Sequence, residues 1–379
     1  MTDILIYGDT VRSAELRHEV PLTVPDPFLY AEREGVKHVF VSSLEIARVR
    51  ELDGIVAHPN EEIGYDELIA SGVHREEMYK TLVLNACRLI GLTSATVPRF
   101  FPLELADHLR ADGIELTPSR EPFALRRRVK SKTELEGIRR AQRACEAALD
   151  AVRELLRAAE ENGSAGLEVD GKPLTSEWLK RRIGEVFAEH DVLGDEFIVS
   201  HGPQSARGHE MGSGQIKAGE PIVIDLWPRD RETGCFADMT RTYVVGEPPA
   251  PLVEFHRLVL EALEKAIDDI KPGVPGRDVF VGTCDIFQAA GYRTPLSKEP
   301  GEVLEDGFIH GLGHGVGLEV HEEPGMGMAS RDPLIAGDVV TVEPGLYNPG
   351  FGGCRLEDLV LVTEDGAENL TDYPYDLAP

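Results

Sequence analysis

Two stretches of the chain put carboxylates where strands rarely carry them. Ala218-Gly219-Glu220 opens the run Pro221-Ile222-Val223-Ile224-Asp225, and Ala336-Gly337-Asp338 opens Val339-Val340-Thr341-Val342-Glu343. In each, an acid closes a β-branched run at the same distance past a glycine. A further acid sits in the β run that follows: Asp238 after Asp225, and Glu357 after Glu343. Asp and Glu are depleted from strands, and burying a carboxylate without a counter-charge is costly. One such acid is explained by a hairpin end or a salt bridge. Four at matched places in a repeated hairpin would repel one another unless cations lay between them. A pair of divalent ions is the economical counter-charge, and hydrolysis is the chemistry such a pair supports.

A source of imidazole follows. His310-Gly311-Leu312-Gly313-His314-Gly315-Val316-Gly317-Leu318-Glu319-Val320-His321 gathers three of the 12 histidines of the chain. A lone histidine is more often structural, but this clustering is informative. The glycines between them read as places where backbone can come close to a ligand.

These residues need elements to hold them. The repeated hairpins predict a pseudo-symmetric sheet carrying the four acids. Ahead of it, residues 3–7 and 38–42 read as strands and residues 65–92 and 103–109 as helices, making an α/β layer without a catalytic constellation. The basic stretch Arg126-Arg127-Arg128-Val129-Lys130-Ser131-Lys132 reads as a solvated linker. Ser131 and Thr133 with Glu134 and Glu136 then start a helix, and another covers residues 176–189. The expected domains are therefore 1–127 and 128–379.

Bulk composition agrees with a two-domain soluble protein: 379 residues, 42% hydrophobic and 28% charged. Lys and Arg number 39 against 67 Asp and Glu, a formal charge of −28. That balance argues against nucleic acid and anionic membranes, which would repel the chain. The first residues lack the basic and apolar regions of a secretory leader, so none is expected. The five cysteines are scattered without a C-x-x-C pair, which points to a reducing cytoplasm and away from a disulfide framework or thiolate zinc.

Together, Asp225, Asp238-Met239-Thr240-Arg241-Thr242, His310-x-x-x-His314 through His321-Glu322-x-Pro324, Glu343-Pro344-Gly345 and Arg355-Leu356-Glu357-Asp358 resemble the prolidase/aminopeptidase P family. The resemblance implies an α+β pita-bread catalytic domain, as in methionine aminopeptidase and creatinase, behind a smaller α/β N-terminal domain. It implies metal ligands at Asp225, Asp238, His314, Glu343 and Glu357. These would hold two divalent ions, with Mn²⁺ expected first and Co²⁺, Fe²⁺ or Zn²⁺ as alternatives for an oxygen-rich set with one imidazole. By the same resemblance a bridging water, as hydroxide, attacks the scissile carbonyl, Glu343 shuttles the proton and His321 stabilises the oxyanion. His209 then contacts the scissile region, with His201 as a competitor, and His310 lines the prolyl side. Arg355 holds a ligand carboxylate or the substrate, or makes a purely structural salt bridge. The implied activity is hydrolysis of the X-Pro bond of dipeptides or short peptides, by a homodimer that takes neither nucleic acid nor membrane as a partner.

The interval from Asp225 to Asp238 is longer than the family's usual one, and Trp227-Pro228 occupies it. Two extra residues at a hairpin tip preserve the strand faces, because side chains alternate with period two. Asp230, beside Pro228 and between Arg229 and Arg231, reads as a turn residue rather than a rival ligand. The altered tip keeps open an aminopeptidase or dipeptidase of broader specificity. An inactive pita-bread binding module and a metal-free creatinase-like hydrolase are the readings from other classes.

Overall fold

The computed structural model describes residues 3–163 and 166–379. Met1 and Thr2, which begin the segment weighed as a leader, lie outside them. The chain forms two compact units, Met1–Arg127 and Arg128–Pro379.

The first unit is built on a six-stranded mixed sheet. Its spatial order is Ile55–Pro59, Val36–Val41, Phe28–Arg33, Ile4–Gly8, Ser94–Val97 and Glu115–Pro118. Period-two alternation buries both faces: Leu5, Leu29, Ala31 and Phe40 enter one core, and Ile4, Ile6, Tyr30, Val39 and Val41 the other. The helix expected over 65–92 is two helices, Tyr65–Ala70 and Arg75–Ile90. Gly72 adopts φ 75° between them, and the His74 side chain caps the second by accepting from the Glu76 N–H. A glycine in the left-handed region ends the first helix despite the continuing apolar period.

The basic stretch is not a solvated linker. Arg126 donates to Glu19 and Glu32 at 2.7 Å each. Arg128 grips Asp338 through Nε at 2.8 Å and again through its terminal nitrogen, and Lys130 pairs with Glu322. Arg128 and Lys130 are buried with these partners.

In the second unit, Ser131 and Glu134 close a capping box at the start of the helix Lys132–Arg157. That helix and Ser176–Glu189 cover one hairpin sheet, Ile198–His201, Ile222–Leu226 and Met239–Tyr243. The helices Ala250–Asp269 and Gly276–Ala289 cover a second sheet containing Gly313–Gly315, Val339–Val342 and Asp358–Val362. Ile222, Ile224 and Leu226 enter the core with the first helix pair, and Val340, Val342, Val360 and Val362 the core with the second. By alternation Asp225, Thr341 and Glu343 project from the opposite faces. The two hairpins meet at a β-bridge, Thr240 opposite Glu357. Among the described residues no helix is long and apolar enough to cross a membrane.

Candidate metal centre

Each hairpin delivers its acids in the same way. Asp225 lies in the strand Ile222–Leu226, and Asp238 immediately precedes the strand Met239–Tyr243. Glu343 immediately follows Val339–Val342, and Glu357 immediately precedes Asp358–Val362. Paired strands therefore bring the acids of each hairpin side by side, and the Thr240–Glu357 bridge joins the two sets. There the Glu357 N–H donates to the Thr240 carbonyl at 3.0 Å, and the Thr240 hydroxyl donates to Glu357 Oε2 at 2.7 Å.

The second unit holds a cavity of about 560 Å³ lined by Asp225, Asp238, Glu343, Glu357, His209, His310, His314, His321 and Arg355. Among the described residues, Asp238, His314 and Glu357 are the group whose ligand atoms all converge within 4.8 Å. His314 Nε2 lies 3.7 Å from Asp238 Oδ2 and 3.5 Å from Glu343 Oε1. A larger hollow of about 960 Å³ in the first unit, walled by Tyr7, Phe28, Phe40 and Tyr79, gathers no ligand set among the described residues. Chemistry outranks size in choosing between them.

The donors fit divalent cations. Asp225 Oδ1 and Asp238 Oδ1 are buried with no hydrogen-bond partner, an expensive state for carboxylate oxygen unless a cation accepts it. Burial, followed by the charges of Glu357, Asp225 and Glu343, pushes the Asp238 carboxyl well above its ordinary range. Burial and the neighbouring acids Glu343 and Asp225 do the same to Glu357. Burial lifts Glu343 to about 8. His314 is held down to about 4, first by burial and then by His321, so its imidazole is neutral and able to ligate at neutral pH.

These directions set a pH dependence for the protein stripped of metal. The folded Glu343 carboxyl, at about 8 against an ordinary 4.5, binds more protons folded than unfolded across that interval. Its contribution to stability is present at low pH and is lost as pH rises toward 8. His314, being lowered, acts below pH 6.5 and drops out above it. Melting temperature of the chelated protein should therefore fall between pH 6.5 and 8.5, by up to about 1.4 kcal/mol of stability per pH unit for one proton. Added divalent cation should abolish the slope. A pH-independent melting curve after chelation would contradict mutual repulsion in this cluster.

Further contacts orient these side chains. The Arg355 guanidinium bonds Asp225 directly, and its other terminal nitrogen donates to the Tyr347 hydroxyl at 3.1 Å. The Tyr347 hydroxyl donates to His310 Nε2 at 2.8 Å, while His310 Nδ1 donates to the Gly311 carbonyl at 2.6 Å. Both His310 nitrogens are thus engaged within the protein, leaving ring surface for the cavity. His314 is seated by its N–H on the Thr341 hydroxyl at 3.1 Å. His321 packs edge-on against His314 with ring centroids 4.2 Å apart.

The sequence pattern gives no direct sign of Tyr347, which links Arg355 to His310, and it places Thr240 in a motif without a role, although its hydroxyl holds Glu357. The only local signal for Tyr347 is its glycine neighbours: a Cβ on Gly345 or Gly353 would collide with its ring. The glycines of the histidine segment also have a different use. A Cβ at Gly313 would strike the Thr341 backbone, and one at Gly315 the Glu323 backbone at 2.5 Å. Gly313 and Gly315 thus admit neighbouring strands, while Gly311 and Gly313 also line the cavity, as backbone open to a ligand would. Asp230 lies away from the cavity, buried as an acceptor for Arg140 at 2.9 Å and for the Thr233 hydroxyl at 2.6 Å. Trp227, from the same hairpin tip, lines the cavity.

Comparison with known proteins gives a consistent picture. The family model "Metallopeptidase family M24" matches residues 136–364, more than half of the chain. The Xaa-Pro dipeptidase of Pyrococcus furiosus is 37% identical over 244 residues, 64% of this chain and 63% of that protein, so the match spans a little under two thirds of its length. The Xaa-Pro dipeptidase of Pyrococcus horikoshii is 34% identical over 297 residues, covering 78% of this chain and 76% of that one. The crystal structure of the prolidase from Pyrococcus horikoshii superposes with a TM-score of 0.76 at 25% identity, over 100% of this chain and 95% of the other.

Proposed function

Since the chain belongs to metallopeptidase family M24 and has its α+β pita-bread fold, we propose that it hydrolyses the bond between a first residue and a following proline in dipeptides or short peptides. The observation that carries this reading is the convergence of four carboxylates and the His314 imidazole on one cavity, with carboxylate oxygens left unpartnered. Asp225, Asp238, His314, Glu343 and Glu357 would hold two divalent ions, and an oxygen-rich set with one imidazole favours Mn²⁺ first. Bound there, such ions supply Lewis-acid polarisation of the scissile carbonyl and activation of water.

The side chains do the rest. Glu343 takes the proton lost by the attacking water and returns it to the leaving nitrogen. His321 and His209 face the scissile carbonyl as N–H donors. His310, fixed by Tyr347, packs on the proline ring, whose missing N–H removes any need for an acceptor there. Arg355 keeps the Asp225 carboxylate aimed into the cavity. Five free, buried cysteines suit a reducing cytoplasm, and a homodimer completes the reading.

Trp227 at the cavity wall favours a second reading, a dipeptidase with weaker proline preference. One panel separates the two. After chelation and reloading with Mn²⁺, kcat/KM for X-Pro dipeptides should exceed that for X-Ala by at least about tenfold, the scale of about 1.4 kcal/mol in a shaped pocket. Equal values would leave the broader dipeptidase. No hydrolysis of any dipeptide or tripeptide would remove both.

A further inference from the structure

His209 reaches the cavity from the tip of the loop spanning 202–213, where it is exposed and makes no hydrogen bond to the described residues. Its placement therefore depends on how the loop is held. The two ends of the loop are tied to each other. The Gln204 amide donates to the Ser213 carbonyl at 3.0 Å and accepts from the Ser213 N–H at 2.9 Å. His201 Nε2 lies 3.1 Å from that same carbonyl, and His201 Nδ1 lies 2.9 Å from Glu220 Oε2. Glu220 in turn accepts from the Lys217 N–H at 3.3 Å, and the Val199 N–H donates to the Met211 carbonyl at 3.1 Å.

A buried histidine is commonly just a satisfied part of a core. His201 differs in what it satisfies. It sits at the end of the strand Ile198–His201, and its ring spans from Glu220 to the far end of the loop. Its two ring nitrogens face oxygen on either side, Nδ1 the Glu220 carboxylate and Nε2 the Ser213 carbonyl. An apolar side chain could fill the volume but could join neither oxygen.

We infer that His201 is a positioning residue: with Gln204 it latches the 202–213 loop and so holds His209 at the cavity wall. The inference rests on the reading of that cavity as the peptide site. Release of the latch would leave His209 attached to a loop closed by fewer bonds. A displacement of about 1 Å at a positioned group can cost about 100-fold in rate.

The test is a double-mutant cycle on the full-length, Mn²⁺-loaded protein, using the dipeptide it cleaves fastest. His201→Leu should lower kcat/KM by about 10- to 100-fold with bound metal unchanged, and His201→Gln, which keeps one donor, should recover part of the loss. Gln204→Leu, which cuts the same latch from its exposed side, should act in the same direction. In a His209→Ala background, His201→Leu should cost nothing more. Independent, multiplying losses would overturn the latch while leaving His209 in its role. A fully active His209→Ala would remove that role, and the latch with it. Hydrogen exchange gives a readout that needs no turnover: amides of residues 203–212 should exchange faster in His201→Leu, and unchanged exchange there overturns the inference.

Discussion

Replacing Glu357 with alanine should empty the metal centre and reduce turnover by more than about 100-fold, the upper range for losing even an outer partner of a ligand. Glu357 occupies the β-bridge that joins the hairpins, opposite Thr240, and is 2% exposed. Its backbone is clasped by the Thr240 carbonyl at 3.0 Å and by Arg241, which donates to the Glu357 carbonyl at 2.8 Å and to Asp358 at 2.9 Å. The backbone should hold when the side chain is cut, so the loss falls on the ligand set. Stability gives a second reading. In the metal-free protein the substitution removes one of several mutually repelling acids, so its melting temperature at pH 8 should match or exceed that of the chelated parent. The parent should gain stability on adding Mn²⁺, and the variant should not. Two ions per chain in Glu357→Ala, measured by elemental analysis, would remove Glu357 from the ligand set.

How much of this was legible without coordinates follows from which interactions are local. The acid-bearing hairpins show in the sequence because strand alternation ties Asp225 to Ile222, Ile224 and Leu226 within a few residues. Their β-branched neighbours make burial of the acid hard to avoid. The two added residues in the Asp225–Asp238 interval leave Asp225 opposite Thr240 and Leu226 opposite Met239, so the ladder is regular on both sides of the tip. The basic stretch was not legible for the opposite reason. Arg126 finds Glu32 across 94 residues, Lys130 finds Glu322 across 192, and Arg128 finds Asp338 across 210. A local run of charge carries no trace of such partners, and solvation was the natural reading of it.

The histidines divide along the same line. Clustering marked His310, His314 and His321 as a group but could not sort them. What sorts them is each residue's further contact: Tyr347 on the His310 ring, the Thr341 hydroxyl on the His314 backbone N–H, and the open cavity for the His321 ring. Thr341 and Glu343 lie two residues apart on one strand face, so the strand that aims Glu343 also seats His314. Tyr347, two residues beyond Gly345, reaches Arg355 from the neighbouring strand, and Arg355 reaches Asp225 in the other hairpin. This chain of contacts makes the His310 wall and the Asp225 carboxylate parts of one hydrogen-bonded structure. Strand register builds it, and register is what a single sequence leaves open.

His321→Ala should do what Glu357→Ala does not: lower kcat by about 10²–10³ while both ions stay bound, the typical loss of one oxyanion donor. The His321 ring lies at the cavity, edge-on to His314 with ring centroids 4.2 Å apart. Burial, with His209 nearby, lowers its proton affinity, against the opposing pull of Asp225. At neutral pH the ring is therefore neutral, and offers one N–H without carrying a charge of its own. A neutral donor serves an oxygen that gains charge during attack better than it serves a carbonyl in the ground state. The substitution should consequently fall on kcat and leave KM within about threefold, since the ground-state contacts of the peptide lie mainly elsewhere. His314 should keep its place, because its own N–H is held by Thr341 and its Nδ1 faces the Gly315 carbonyl at 3.1 Å. Elemental analysis of the variant beside its kinetics decides the matter. Metal lost in step with activity would make His321 a ligand or its support, and an unchanged kcat would place the oxyanion donor elsewhere, with His209 the next side chain to replace.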